Sequence, residues 1–165
     1  MDYSLDYAAL VFDCDGTLTD SMPLHFIAWR EALASVGIEF SEERFYAMAG
    51  IPTVKIVETL SREQSVTINP QVVADGKEQL FFDQLARLEP RARVCAIAAS
   101  HRGRIPISVA SGGDRQSVSR QLRQIGMLDQ FDAMVTAEDT ERHKPEPDVF
   151  LEAAARMNVR PTGCL

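Results

Sequence analysis

Cysteine is scarce in this chain, and Cys14, Cys95 and Cys164 lie too far apart to form a CxxC pair. An odd, dispersed set argues against a disulfide framework or a structural zinc site and fits a reducing compartment. Basic residues are also in deficit, 17 against 24 acidic, for a net charge of −7 with no basic stripe. Nucleic acid is therefore not the expected partner. Long apolar runs are missing: the longest, Ala8–Phe12 and Val94–Ala99, are far too short to span a bilayer. The first residues, Met1–Asp6, are acidic and carry no basic stretch, so no secretory leader is expected and the cytoplasm is the expected location. No repeat or low-complexity segment occurs. What remains is 165 residues with an ordinary 45% apolar content, enough for one domain, or one domain carrying a small insert, around a real core. If the substrate is anionic, positive charge must be gathered locally, by a metal ion and a few lysines.

Three short, nearly continuous apolar runs, Ala8–Phe12, Ile105–Ala110 and Phe131–Val135, read as parallel strands covered on both faces. A fourth begins at Gly163–Leu165. Helical patterns separate them: Asp114–Ile125 closed by Gly126, and Pro147–Met157 closed by Asn158. Alternation of this kind implies an α/β fold with a doubly wound parallel sheet, Rossmann-like. Residues 19–88 break the rhythm with four helical patterns and no strand. Pro23–Val36 ends at Gly37, Ser41 and Thr53 are expected to cap the second and third helices, and Asn69 the fourth, with Pro70 in its first turn. The expected organisation is a core of residues 1–18 and 89–165 with a small helical cap, 19–88, inserted after the first strand.

The strongest local signal is Asp13-Cys14-Asp15-Gly16-Thr17-Leu18, directly after the first strand. Four specified residues recur by chance about once in 10⁵ positions. Strand ends of an open α/β sheet are where ligands bind. Two carboxylates two residues apart repel unless a cation is near, and hard oxygen donors suit Mg²⁺. A metal at Asp13 and Asp15 would offset phosphate charge and let the Asp13 carboxylate attack phosphorus. Asp15 is then placed to act as general acid and base. Gly16 and Thr17 are expected to bring backbone amides to phosphate oxygens. A second signal is Ser111-Gly112-Gly113 at the next strand end, a hydroxyl and two glycines ahead of a helix start. A third is His143-Lys144-Pro145-Glu146-Pro147-Asp148, a loop lysine flanked by prolines.

Together these motifs resemble those of the haloacid-dehalogenase-like superfamily, in the right order and over essentially the whole chain. The resemblance implies that Asp13 is the nucleophile and Asp15 the acid/base. It also implies that Mg²⁺ is held by the Asp13 side chain and the Asp15 main-chain carbonyl. Ser111 and Gly112 would bind the transferring phosphoryl group, and Lys144 would offset its charge. A second Asp, at position 15, separates the phosphotransferases of the family from its dehalogenases. The family's fourth motif, an acidic pair one strand later, is not reached by Leu165, so a C-terminally truncated chain is expected. Glu138-Asp139 precedes Lys144 and reads as a loop pair rather than that motif.

The insert resembles the cap of the β-phosphoglucomutase-like branch. His25 and Trp29 match residues at its core–cap junction, and Lys77 matches a cap lysine facing a sugar phosphate. Gly50-Ile51-Pro52-Thr53 occupies its specificity loop. There Thr53 stands where the mutase pattern has an arginine for a second phosphate; Lys55 is displaced in register. Gly-x-Pro-Thr together with His143-Lys144-Pro145 looks more like the fructose-1-phosphatase type of sugar phosphatase. The favoured expectation is a hexose-phosphate phosphatase that works as a monomer on a small molecule, with no membrane partner. A β-phosphoglucomutase and an inactive truncated fold stay open as alternatives.

Overall fold

The computed structural model describes residues 7–165; Met1–Asp6, and the expectation about a leader that rests on them, lie outside the described residues. Three strands, β1 (Leu10–Phe12), β2 (Ile107–Ala110) and β3 (Ala133–Val135), pair in parallel in the order β1-β2-β3. Leu10 lies opposite Ile107, and Ser108 opposite Ala133. On the other side of β1, Ala9 forms a parallel bridge to Cys164. The Leu165 amide donates to the Ala9 carbonyl at 3.1 Å, and the Val11 amide to the Leu165 carbonyl at 2.7 Å. The expected fourth run is thus seen as a bridge that puts β1 inside the sheet.

Side-chain alternation along the strands decides which face each residue covers. Leu10, Phe12, Ile107 and Val109 pack with Ala98 of α5 (Ala92–His101) and with Val118 and Leu122 of α6 (Arg115–Gln124). Val11, Ala110 and Val135 turn the other way, onto Val149 and Ala153 of α7 (Asp148–Arg156). Helices on both faces of a parallel sheet make this the doubly wound α/β fold expected. Helix α5 was not anticipated: its apolar run Val94–Ala99 is too short to distinguish a buried helix from a strand by periodicity.

Four helices form a separate layer: α1 (Met22–Ala34), α2 (Glu42–Ala47), α3 (Thr53–Glu63) and α4 (Pro70–Phe82). Helix α4 packs against both α1 and α3. Their own apolar cluster includes Trp29, Leu33, Phe45, Ile56, Leu60 and Ala74, with Trp29 edge-on to Phe40 at 5.6 Å between ring centroids. Two helix starts follow the caps read from sequence: the Ser41 side chain accepts from the Arg44 amide, and Asn69 from the Gln71 and Val72 amides. Asp114 likewise accepts from the Ser117 amide to cap α6. The α3 start corrects its reading. Pro52 is the capping residue and Thr53 the first helical one, with the Thr53 hydroxyl donating instead to Glu78 at 2.8 Å. A carboxylate acceptor makes a stronger hydrogen bond than a neutral cap would, which explains the diversion. Gly126 and Asn158 close α6 and α7 in left-handed conformations, φ +71° and +56°. Among the described residues no helix is long and apolar enough to cross a membrane.

Candidate active site

The end of β1 delivers Asp13 to the floor of a cavity of about 250 Å³ between the sheet and the helical layer. Lys144, from the loop before α7, donates to Asp13 Oδ1 at 2.7 Å and to the Ala110 carbonyl at 3.3 Å. The Asp13 side chain keeps 34% of its surface exposed. Burial nonetheless pushes its carboxyl above the ordinary aspartate value, and Lys144 offsets that only in part.

Asp15 is held quite differently. Its Oδ1 accepts from the Ser21 hydroxyl at 2.7 Å, His25 Nε2 at 2.8 Å and Gln121 Nε2 at 2.9 Å. Burial alone would raise its pKa, but these partners outweigh burial and hold the carboxyl far below the usual range. With Oδ1 saturated, Oδ2 is the oxygen left to exchange a proton. Ser21, which precedes α1 where a capping serine belongs, makes no cap because its hydroxyl is committed to Asp15.

From Asp15 a chain of polar contacts runs into the helical layer. Lys77 Nζ sits 2.9 Å from His25 Nδ1. An ammonium only donates, so Nδ1 must accept, which leaves the His25 proton on Nε2 facing Asp15. The imidazole stacks on Phe81 with 3.8 Å between ring centroids, while Lys77, buried, lies 5.3 Å from the Trp29 ring centroid. Lys77 Nζ also donates to Glu78 Oε1 at 2.9 Å, the oxygen that Thr53 reaches.

Asp13, Asp15, His25, Trp29, Gly50, Thr53, Lys77, Ser111, Gly112 and Lys144 all line this one cavity. Ser111 is buried at the end of β2, with its Oγ accepting from the Gly113 amide at 3.0 Å. Gly112 meets the helical layer directly: a Cβ there would stand 2.1 Å from the Gly50 carbonyl oxygen, so only glycine permits this approach. Gly16 and Thr17 lie in the turn beneath the cavity rather than in its lining. Their amides donate within the turn, to the Thr19 carbonyl at 2.9 Å and the Cys14 carbonyl at 3.2 Å. Lys55 pairs with Glu58 at the surface. Glu138 accepts from the Arg115 amide and Asp139 binds Arg115 and Arg156, so this acidic pair fastens loops, as its position before Lys144 implied.

Three residues of the site escaped the sequence reading, Ser21, Gln121 and Glu78, and Ser21 offers no signal beyond that of a helix cap. Gln121 is fully buried on the apolar stripe of α6, where a lone amide was a legible hint of a buried partner. Glu78 carried no signal beyond its place beside Lys77.

A sheet with catalytic-type carboxylates at its central strand end, a lysine reaching them and a helical layer above defines a hydrolase class. The chain belongs to the haloacid dehalogenase-like hydrolases, whose family model, described as "Hydrolase: haloacid dehalogenase-like hydrolase", matches residues 7–165. It is 35% identical over 160 residues to the fructose-1-phosphate phosphatase YqaB of Escherichia coli (strain K12), covering 96% of this chain and 85% of that one. It is 26% identical over 165 residues to a β-phosphoglucomutase of Bacillus subtilis (strain 168), covering 94% and 72%. The fold matches the crystal structure of a β-phosphoglucomutase from Clostridium difficile with a TM-score of 0.82 at 23% identity, over 96% of this chain and 74% of that one.

Proposed function

We propose that the chain is a Mg²⁺-dependent phosphatase of a hexose phosphate, fructose 1-phosphate being the leading candidate, acting through an aspartyl-phosphate on Asp13. The observation that carries this reading is the pairing of unlike carboxylates in one cavity. Asp13 is held by Lys144 and keeps part of its carboxylate open to the cavity, while Asp15 has one oxygen accepting three hydrogen bonds and the other left for proton exchange. Asp13 attacks phosphorus, and the bond to the sugar oxygen breaks as Asp15 gives that oxygen a proton; Asp15 is ionised in the free chain, so it takes up that proton as the substrate binds. Asp15 then takes a proton from water, which attacks the phosphorus of the aspartyl-phosphate and frees inorganic phosphate and Asp13. Lys144 and the Ser111–Gly113 turn hold the phosphoryl oxygens. The helical segment 19–88 serves as the cap that closes over them and excludes water.

The donors fit Mg²⁺. Asp13 and Asp15 offer hard oxygens, through the Asp13 carboxylate and the Asp15 main-chain carbonyl, and the elevated Asp13 pKa marks a place where further positive charge is favourable. Among the described residues no group of three or more His, Cys, Asp or Glu side chains forms a metal cluster. That is compatible with an ion that keeps water and substrate phosphate among its ligands. When bound, the ion would supply charge neutralisation for the phosphoryl group.

The named relatives act on, or are named for, sugar phosphates, which supports the substrate class. A mutase would share the Asp13, Asp15, Ser111 and Lys144 set. The commitment of Thr53 to Glu78, where a second phosphate would need a cation, favours hydrolysis. The test is phosphate release from a panel of sugar phosphates with Mg²⁺, with Asp13→Asn as control. Release by the parent alone, without a bisphosphate activator, is expected. No release from any sugar phosphate would sink the reading.

A further inference from the structure

Behind Thr53 and Gly112 a second cavity of about 370 Å³ adjoins the first, and Glu78 lines both. The Glu78 side chain is 16% exposed, and its two oxygens have different fates. Oε1 accepts from Thr53 Oγ1 at 2.8 Å and Lys77 Nζ at 2.9 Å; Oε2 is enclosed and has no partner among the described residues. A buried carboxylate oxygen without a donor is costly, so such an atom calls for a hydroxyl or N–H from outside the chain.

We infer that Glu78 is a specificity-determining residue whose Oε2 accepts a hydrogen bond from a hydroxyl of the substrate's carbon chain. It thereby selects monophosphates with a neutral, hydroxyl-rich chain over those bearing a second anionic group. This rests on the phosphatase reading above and names the recognition that reading lacks. A carboxylate oxygen only accepts. It therefore binds a hydroxyl and repels a second phosphate or a carboxylate. Lys77 does not reverse that preference, because its ammonium is already divided between His25 and Glu78 and lies buried beside Trp29 and Phe81. The adjoining cavity repeats the sign, with Asp75 and Asp114 in its walls. Thr53 positions Glu78 by fixing which oxygen faces away.

Glu78→Gln isolates the effect. Lys77 and Thr53 both donate, so the glutamine must offer them its carbonyl oxygen, and its NH₂ replaces Oε2 as the outward group. In steady-state assays the ratio of kcat/KM on the best sugar monophosphate to that on p-nitrophenyl phosphate, which has no hydroxyl chain, is expected to fall about tenfold. The preference for that monophosphate over a sugar-acid phosphate such as 6-phosphogluconate should narrow. A binding measurement without turnover complements this: Trp29 fluorescence titration in the Asp13→Asn background, with the sugar monophosphate and with inorganic phosphate. The Kd for the sugar phosphate should rise about tenfold more than that for phosphate. Equal losses on all ligands, or no loss, overturn the inference, since a merely structural Glu78 cannot discriminate between them. Glu78→Ala, checked by its melting curve, guards against a fortuitous contact of the glutamine. Selective binding loss without any turnover would sink the phosphatase reading and leave Glu78 in place; turnover with unselective losses would do the reverse.

Discussion

The two walls of the cavity are built on different principles. On the sheet side, Asp13 and Ser111 stand just beyond strand ends whose faces are sealed by α5, α6 and α7, and Lys144 reaches Asp13 from the loop before α7. On the helical side, His25, Lys77, Glu78 and Thr53 come from α1, α3 and α4 and hold one another through side chains alone. The sheet wall is thus rigid by construction, whereas the helical wall is a relay of contacts that begins at Asp15. On the proposed reading, the difference separates chemistry from choice: bond breaking on the wall fixed by backbone, recognition on the wall held by side chains.

The sharpest way to test that division is to remove the proposed nucleophile from the rigid wall. Asp13→Asn keeps the shape and hydrogen-bonding reach of the side chain, so turnover should fall by at least about 10³-fold while the circular dichroism spectrum is retained. Sugar phosphate should still bind. Substantial residual turnover would move the chemistry away from this wall.

Separating the walls comes next. Gly112→Ala places a Cβ where the Gly50 carbonyl oxygen now sits, at 2.1 Å. The helical layer must then stand off, and a misplacement of about 1 Å costs roughly 10²-fold in kcat/KM. Stopped-flow or steady-state kinetics would show the drop, and a lowered melting temperature with an unchanged circular dichroism spectrum would report the displaced but folded layer. An alanine variant of wild-type activity would mean that the two walls need not meet.

A smaller effect probes the joint between them. Gln121→Leu removes one of the donors to Asp15 Oδ1 and strips the Thr19 hydroxyl of its acceptor at 2.8 Å. The Thr19 hydroxyl keeps a longer contact to the Cys14 carbonyl at 3.2 Å, so the cost is about 1 kcal/mol, readable by urea denaturation. A loss of about tenfold in kcat with KM nearly unchanged is expected, because Ser21 and His25 still hold Asp15. A rise in KM instead would assign Gln121 to binding.

How far each wall could be read from the sequence follows the same division. Asp13, Ser111 and Lys144 were legible because each motif is a few contiguous residues whose strand dictates where they point. The doubly wound sheet was legible for the same reason, in its short unbroken apolar runs. The helical wall was legible only by resemblance: His25 and Lys77 meet across 52 residues of sequence, and no local pattern announces such a pair. Glu78 and Gln121 were missed because their partners are set by tertiary packing, and α5 because a short apolar run fits strand and helix alike. Thr53 was read as a cap from propensity; a nearby carboxylate overrode that tendency.

The mildest expected change lies in neither wall. Asp139 is held by Arg156 and Arg115 and by the Thr136 amide and hydroxyl, which fasten the loop after β3. Burial would raise its pKa, but these donors prevail and bring it to about 2. The folded value lies below that of an unfolded aspartate, near ~3.9, so the contribution to stability is fully present above pH ~4. It is lost as pH falls from there through the folded value. The arginines are 34% and 44% exposed, and solvent screening limits the contribution to about 1 kcal/mol. Asp139→Asn should lower the melting temperature at pH 7 by a few degrees and bring it closer to the parent's as pH drops from 4 to 2, with kcat/KM at pH 7 within about threefold of the parent. If activity falls as steeply as stability, the Thr136–Asp139 turn at the start of this loop sets the position of Lys144 farther along it, and the working wall would have to be redrawn to include that turn.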